Sequence, residues 1–231
     1  MSAGSNSRLW LLLAAIAIPT GLASASIVVV PGQTFSVASL SGVPATGTHF
    51  HSDHAGAFGN PPDKAEVGSL QDQAMSMEEC RGLSEFNLAG LSPGTATLQL
   101  RVDHLSGLFS GNAFPFIGNI GLIAYAGNNA DDIGDYSAAP VSLLGTFGTS
   151  GLSPGLLLSF DVTSAYNARL AAGSPALGVR LQTTPSTVTS GGAFTFDSFT
   201  LTVVSTPEPE PASLTLLCSG TLLCLARRRR C

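Results

Sequence analysis

Positive charge is scarce in this chain and unevenly placed. Of ten lysine and arginine residues in 231, four are the consecutive Arg227, Arg228, Arg229 and Arg230, and Arg8 lies just ahead of the first apolar run. Only Lys64, Arg81, Arg101, Arg169 and Arg180 fall between 26 and 206. The 15 acidic residues, less Glu208 and Glu210 in the tail, leave 13 in that stretch and a net charge of −8. An acidic body with no basic stripe excludes nucleic acid as a partner. Charged residues of both signs make up only 11% of the chain. That excludes an acidic disordered chain and does not suit a helical bundle.

Other absences narrow the chemistry. Of four cysteines, Cys218 and Cys224 sit in a C-terminal apolar run and Cys231 ends the chain, so Cys80 is alone in the body and no disulfide can form there. The one tryptophan, Trp10, lies in the N-terminal apolar run. A sugar-binding platform of tryptophans is therefore absent from the body, and Tyr125, Tyr136 and Tyr166 are the aromatics left to contribute to one. No Gly-rich loop with a following Lys is present. Histidine does not occur after His104, and Cys80, between Glu79 and Arg81, has no evident histidine partner. No catalytic residue is assigned, no cofactor is expected, and the body is read as non-catalytic.

What is present divides the chain into three parts. Residues 1–25 read as a secretory leader: Arg8 supplies the charge, residues 9–18 the apolar stretch, Pro19 and Gly21 the break, and Ala23-Ser24-Ala25 the small-residue cleavage site. Residues 26–206 form one domain-sized body. Residues 207–231 form a tail: a Pro/Glu stalk, an apolar run from Leu214 to Ala226, and the arginine block. Alternating Pro and Glu make the stalk stiff and solvated. The apolar segment is expected to span the membrane with its arginines on the cytoplasmic side. Residues 212–226 number 15, short of the roughly 20 a bilayer asks for, and snorkelling arginine stems lengthen the span.

The body alternates with the period of strands. In 95–103, Ala96, Leu98, Leu100 and Val102 share one face and Thr95, Thr97, Gln99 and Arg101 the other. Further strands are expected at 27–30, 34–40, 83–88, 120–126, 141–147, 156–162, 176–182 and 193–204, with Gly, Pro, Asn and Ser between them. A short helix is expected at 163–172, capped by Thr163 and ended by Gly173. Residues 41–80 show no sustained period and read as a long loop, with strand fragments near Phe50 and Glu66-Val67 and a helical turn at 71–79. The fold class expected is all-β, a two-sheet sandwich or jelly roll, flanked by an N-terminal signal helix and a C-terminal transmembrane helix.

Two polar stretches could hold a ligand. Thr48-His49-Phe50-His51-Ser52-Asp53-His54 has the H-x-H-x-D-H form of the metallo-β-lactamase-type hydrolases, in which such residues hold zinc and activate a water. The later ligands of that family are missing, and Asn60-Pro61-Pro62 blocks the helix that should follow. A simpler surface metal site made of His49, His51, Asp53 and His54 stands beside the reading of a plain polar loop. The second stretch, 128–135, is rich in Asn and Asp and reads as a turn rather than a calcium loop.

The tail resembles the PEP-CTERM sorting signal of exported bacterial proteins. Pro209, Glu210, Pro211, Ala212 and Ser213 carry the motif, and the apolar run with Arg227–Arg230 completes it. The resemblance implies an exosortase-type membrane protease as partner, cleavage near the motif, and passage through an inner-membrane intermediate to the cell surface or extracellular matrix, with extracellular polysaccharide as a further candidate partner. The body is similar to β-sandwich passengers related to carbohydrate-binding jelly rolls, through its framework segments 81–88, 97–102, 160–163 and 177–181.

Overall fold

The computed structural model describes residues 25–40, 46–71, 77–184 and 191–205. The expected leader helix and the tail, including Pro209–Ser213 and Arg227–Arg230, lie outside the described residues. Among the described residues no helix is long and apolar enough to cross a membrane.

The described residues are mostly strand, with one α-helix. In order come β1 (Ile27–Pro31), β2 (Gln33–Leu40), β3 (His49–Ser52), β4 (Ala65–Gln71), β5 (Met77–Asn87), β6 (Gly94–His104), β7 (Asn119–Gly127), β8 (Pro140–Gly148), β9 (Leu157–Asp161), α1 (Thr163–Ala171), β10 (Ala176–Thr184) and β11 (Gly192–Ser205). β6 shows the expected alternation directly, with Ala96, Leu98, Leu100 and Val102 buried and Thr95, Thr97, Gln99 and Arg101 exposed. α1 ends where Gly173 adopts φ 66°, a conformation that costs glycine little. The expected cap differs. The Asp161 carboxylate accepts the Thr163 N–H at 2.9 Å, while Thr163 Oγ1 accepts the Ala96 N–H and ties the helix to β6.

Every ladder between named strands is antiparallel, and all eleven strands belong to one nearly closed network in the order β8-β7-β10-β5-β4-β11-β6-β9. β4 is the corner. Its Gly68–Gln71 pairs with Met77–Cys80 of β5, and its Ala65–Ser69 pairs with Gly192–Phe196 of β11. The opposite edge of β5 carries β2, and β2 carries β3. β11 has β6 along one edge, and β4 followed by β1 along the other. The ends of the network approach each other, with the Phe147 ring of β8 centred 5.7 Å from Phe160 of β9.

The main core lies inside this wrap and includes Phe86, Leu98, Leu100, Ile120, Leu122, Leu177 and Phe196. A smaller core of Phe35, Val37, Leu83, Tyr125 and Tyr136 fills the other face of β2, β5 and β7. Segment 128–139 covers it, and two buried arginines hold that cover down. Arg180 donates to the Asp135 and Ala138 carbonyls at 3.0 and 2.9 Å. Arg81 donates to the Tyr136 carbonyl at 2.7 Å and lies 4.0 Å from the centre of its ring.

The expectation for 41–80 is corrected in part: the strand fragments near Phe50 and Glu66-Val67 are β3 and β4, but the segment is not one long loop. Its described residues include β3, β4 and the start of β5, and Met77–Glu79 are strand rather than a helical turn. The reason is polarity. Ala65 and Val67 enter the main core, yet the residue between them is a fully buried Glu66. Strands that carry carboxylates on a buried face give no hydrophobic period to read.

Candidate functional site

The polar centre of the molecule lies where β3, β4 and β5 come together. The register sets Ala38 of β2 opposite both His49 of β3 and Cys80 of β5, and Gly68 of β4 also opposite Cys80. Alternation along β3 puts His49 and His51 on one face and sends Phe50 to the smaller core. The same rule puts Glu78 and Cys80 on a common face of β5.

His51 is buried between two carboxylates. Its Nδ1 lies 3.0 Å from Glu66 Oε2 and its Nε2 lies 3.2 Å from Glu78 Oε2. His49 approaches the same Glu78 oxygen through Nε2 at 3.7 Å, and its Nδ1 is 3.0 Å from Thr48 Oγ1. Glu66 is completed by buried Asn112, whose Nδ2 donates to Oε1. The Phe109 ring meets His51 edge-on at 4.7 Å. Two triads bring their ligand atoms within 4.8 Å of one another, His49–His51–Glu78 and His51–Glu66–Cys80.

The electrostatics of the two imidazoles differ. Burial alone would lower His51, but the hydrogen bonds and charges of Glu66 and Glu78 outweigh it and hold it above its ordinary value. Burial and the neighbouring His51 pull His49 down, only partly offset by Glu78. Cys80 is completely buried, and that burial pushes its thiol well up, with the charges of Glu66 and Glu78 adding to the effect. Cys80 therefore does have a histidine neighbour, contrary to the sequence expectation, but it remains a thiol.

The four sequence candidates do not converge. His49 and His51 meet. The Asp53 carboxylate instead accepts the Ala57 N–H at 2.7 Å and the Asn60 amide at 3.2 Å, closing the turn that follows. Exposed His54 pairs with Asp63. His104 pairs with its neighbour Asp103 at 2.8 Å. The residues missed were Glu66 and Glu78, which lie 15 and 27 positions from His51. Their only sequence signals are a carboxylate in the strand fragment at Glu66-Val67 and another in the stretch 71–79 that reads as a helical turn.

The second polar stretch is a turn, as expected. Asp132 accepts the Gly134 N–H at 2.7 Å and opens a 3-10 turn at Ile133–Ser137. Asp135 enters the interior beside Glu85, which also accepts the Asn128 N–H at 3.0 Å. Burial, then the charge of Glu85, pushes Asp135 up to about 8.

The proposed aromatic contribution to sugar binding is corrected. Tyr125, Tyr136 and Tyr166 are all buried. The first two belong to the smaller core, and the third donates its hydroxyl to the Ser92 carbonyl at 2.7 Å. None offers a face to a sugar ring. No family model matches this chain, and no curated protein is significantly similar to it.

Proposed function

We propose that the chain is an exported, non-catalytic surface or matrix protein, sorted by its C-terminal tail, with a two-sheet β-sandwich as its passenger. The observation that carries this reading is the order of the tail. Pro209-Glu210-Pro211-Ala212-Ser213 precedes the apolar run 214–226, and Arg227–Arg230 follow it. The arginines keep the C-terminus cytoplasmic and the stalk holds the passenger outside the bilayer. The short apolar run suits a temporary anchor released by an exosortase-type protease. The pairing of the body's ends is compatible with this reading. β1 and β11 pair as its first and last strands, and the Ser205 N–H donates to the Ser26 carbonyl at 2.9 Å.

The test is fractionation of an exosortase-bearing host that expresses the epitope-tagged chain. Wild type is expected at the surface or in the medium in a shortened form. Replacing Pro209, Glu210 and Pro211 by Ala is expected to trap the uncut chain in the inner-membrane fraction. Unchanged size and location of that variant would overturn the reading. Retention of the released body on the host's exopolysaccharide would extend it to glycan binding through residues other than the buried tyrosines.

A further inference from the structure

We propose that His49, His51 and Glu78 bind one divalent metal ion of the zinc class, with water as fourth ligand and Glu66 as the residue that positions His51. This inference is independent of the sorting route.

The geometry suits the ion. Zinc bonds of about 2.0–2.1 Å in a tetrahedron set ligand atoms about 3.3 Å apart. The two separations from Glu78 Oε2 are 3.2 Å to His51 Nε2 and 3.7 Å to His49 Nε2. All three ligand atoms fall within 4.8 Å of one another.

The outer contacts also match. A ligating histidine usually engages its other nitrogen with a carboxylate or another oxygen, which fixes tautomer and ring orientation. Here His51 Nδ1 meets Glu66 at 3.0 Å and His49 Nδ1 meets Thr48 Oγ1 at 3.0 Å. Asn112 in turn fixes Glu66. Both rings thus present the same atom, Nε2, to one carboxylate oxygen. An ion pair needs only one histidine there; two, each anchored from behind, make a coordination site.

The donor set and the burial select the ion and the position. Two imidazoles and one carboxylate suit zinc, whereas calcium and magnesium take oxygen ligands. The deeper triad of His51, Glu66 and Cys80 is closed off. Glu66 is already occupied by His51 and Asn112, and Cys80 is completely buried. The outer triad opens to solvent, with the His49 side chain 43% exposed. Water can therefore reach the fourth position. Asp53 and His54 are engaged elsewhere and contribute no ligand.

The test is calorimetric titration of zinc chloride into the chelator-stripped full chain in detergent micelles, with cobalt(II) absorption as a second readout. One equivalent is expected to bind, and cobalt is expected to give the visible bands of a four-coordinate site. Glu66→Gln should weaken affinity by about 10–100-fold. His49→Ala and Glu78→Gln should weaken it further and abolish the cobalt bands. Zinc should raise the melting temperature of wild type and not of His49→Ala. His54→Ala should change nothing. If Glu66→Gln does not fold, His49→Ala, a half-exposed change on a short strand, and Glu78→Gln still decide the matter. No binding would overturn the proposal. So would several weak equivalents that fall equally with His54→Ala, and so would full affinity in His49→Ala or Glu78→Gln.

Discussion

Asp135 and Asp197 are both largely buried aspartates, and their environments push them in opposite directions. Asp135, desolvated and facing Glu85, is raised from 3.8 to about 8. The folded state therefore holds a proton that the unfolded chain has lost. The stabilisation is complete below about pH 4 and disappears as pH rises through about 8. Asp197 accepts both Arg101 Nε and Nη2 at 2.8 Å and Lys64 Nζ at 3.0 Å, which hold it far below its usual value. Its contribution is present above its unfolded value and is lost in stronger acid. Melting curves of wild type should therefore show stability declining from pH 4 to 8. Asp135→Asn should flatten that decline and melt higher than wild type at pH 8; an unchanged slope would contradict the buried proton. Neither role was legible in the sequence. Asp135 stands in a run of Asn and Asp that reads as a turn, and its partner Glu85 lies 50 positions earlier across β5. The same limit hid Glu66 and Glu78, while His49 and His51 stood out because three histidines in six residues are conspicuous anywhere.

Among the elements, legibility followed how each strand is buried. β6 has one apolar face and one exposed face, so its alternation could be read directly. α1 announced itself by a helical stretch stopped by glycine. β4 could be read only as a fragment at Glu66-Val67, because its two faces meet core on one side and carboxylate chemistry on the other. Its position depends on a close approach. A Cβ on Gly82 of β5 would lie 2.7 Å from Ala65 Cβ and 3.0 Å from the Ala65 carbonyl carbon. Gly82→Ala should force β4 away from β5, costing about 1–3 kcal/mol, as measured by urea unfolding. Glu66 follows Ala65 on the same strand, so this variant should also bind zinc more weakly although Gly82 touches no ligand. Wild-type stability in Gly82→Ala would mean the corner is looser than the contact implies.

At the scale of the whole molecule, the described part of the body closes on its own ends. Residues 25–206 form one compact unit, and its first and last strands meet through Ser26 and Ser205, whose hydroxyls are 2.8 Å apart. A chain limited to 26–206 should therefore melt cooperatively at the temperature of the body in the full chain; a shift of many degrees would show that the termini contribute to the fold. The all-β class was legible from period-2 alternation and turn residues. The continuous network was not, because the pairing of β4 with both β5 and β11 is decided by distant register rather than by local pattern. The placement of β11 has a mechanical consequence. Any tension that reaches the body through residue 206 arrives at Ser205 and runs along β11, which is bonded on both edges by β6, β4 and β1. Its ladder bonds lie across the direction of pull, so they are loaded together in shear and cannot be peeled one at a time. The last strand of the body is thus well placed to carry a load.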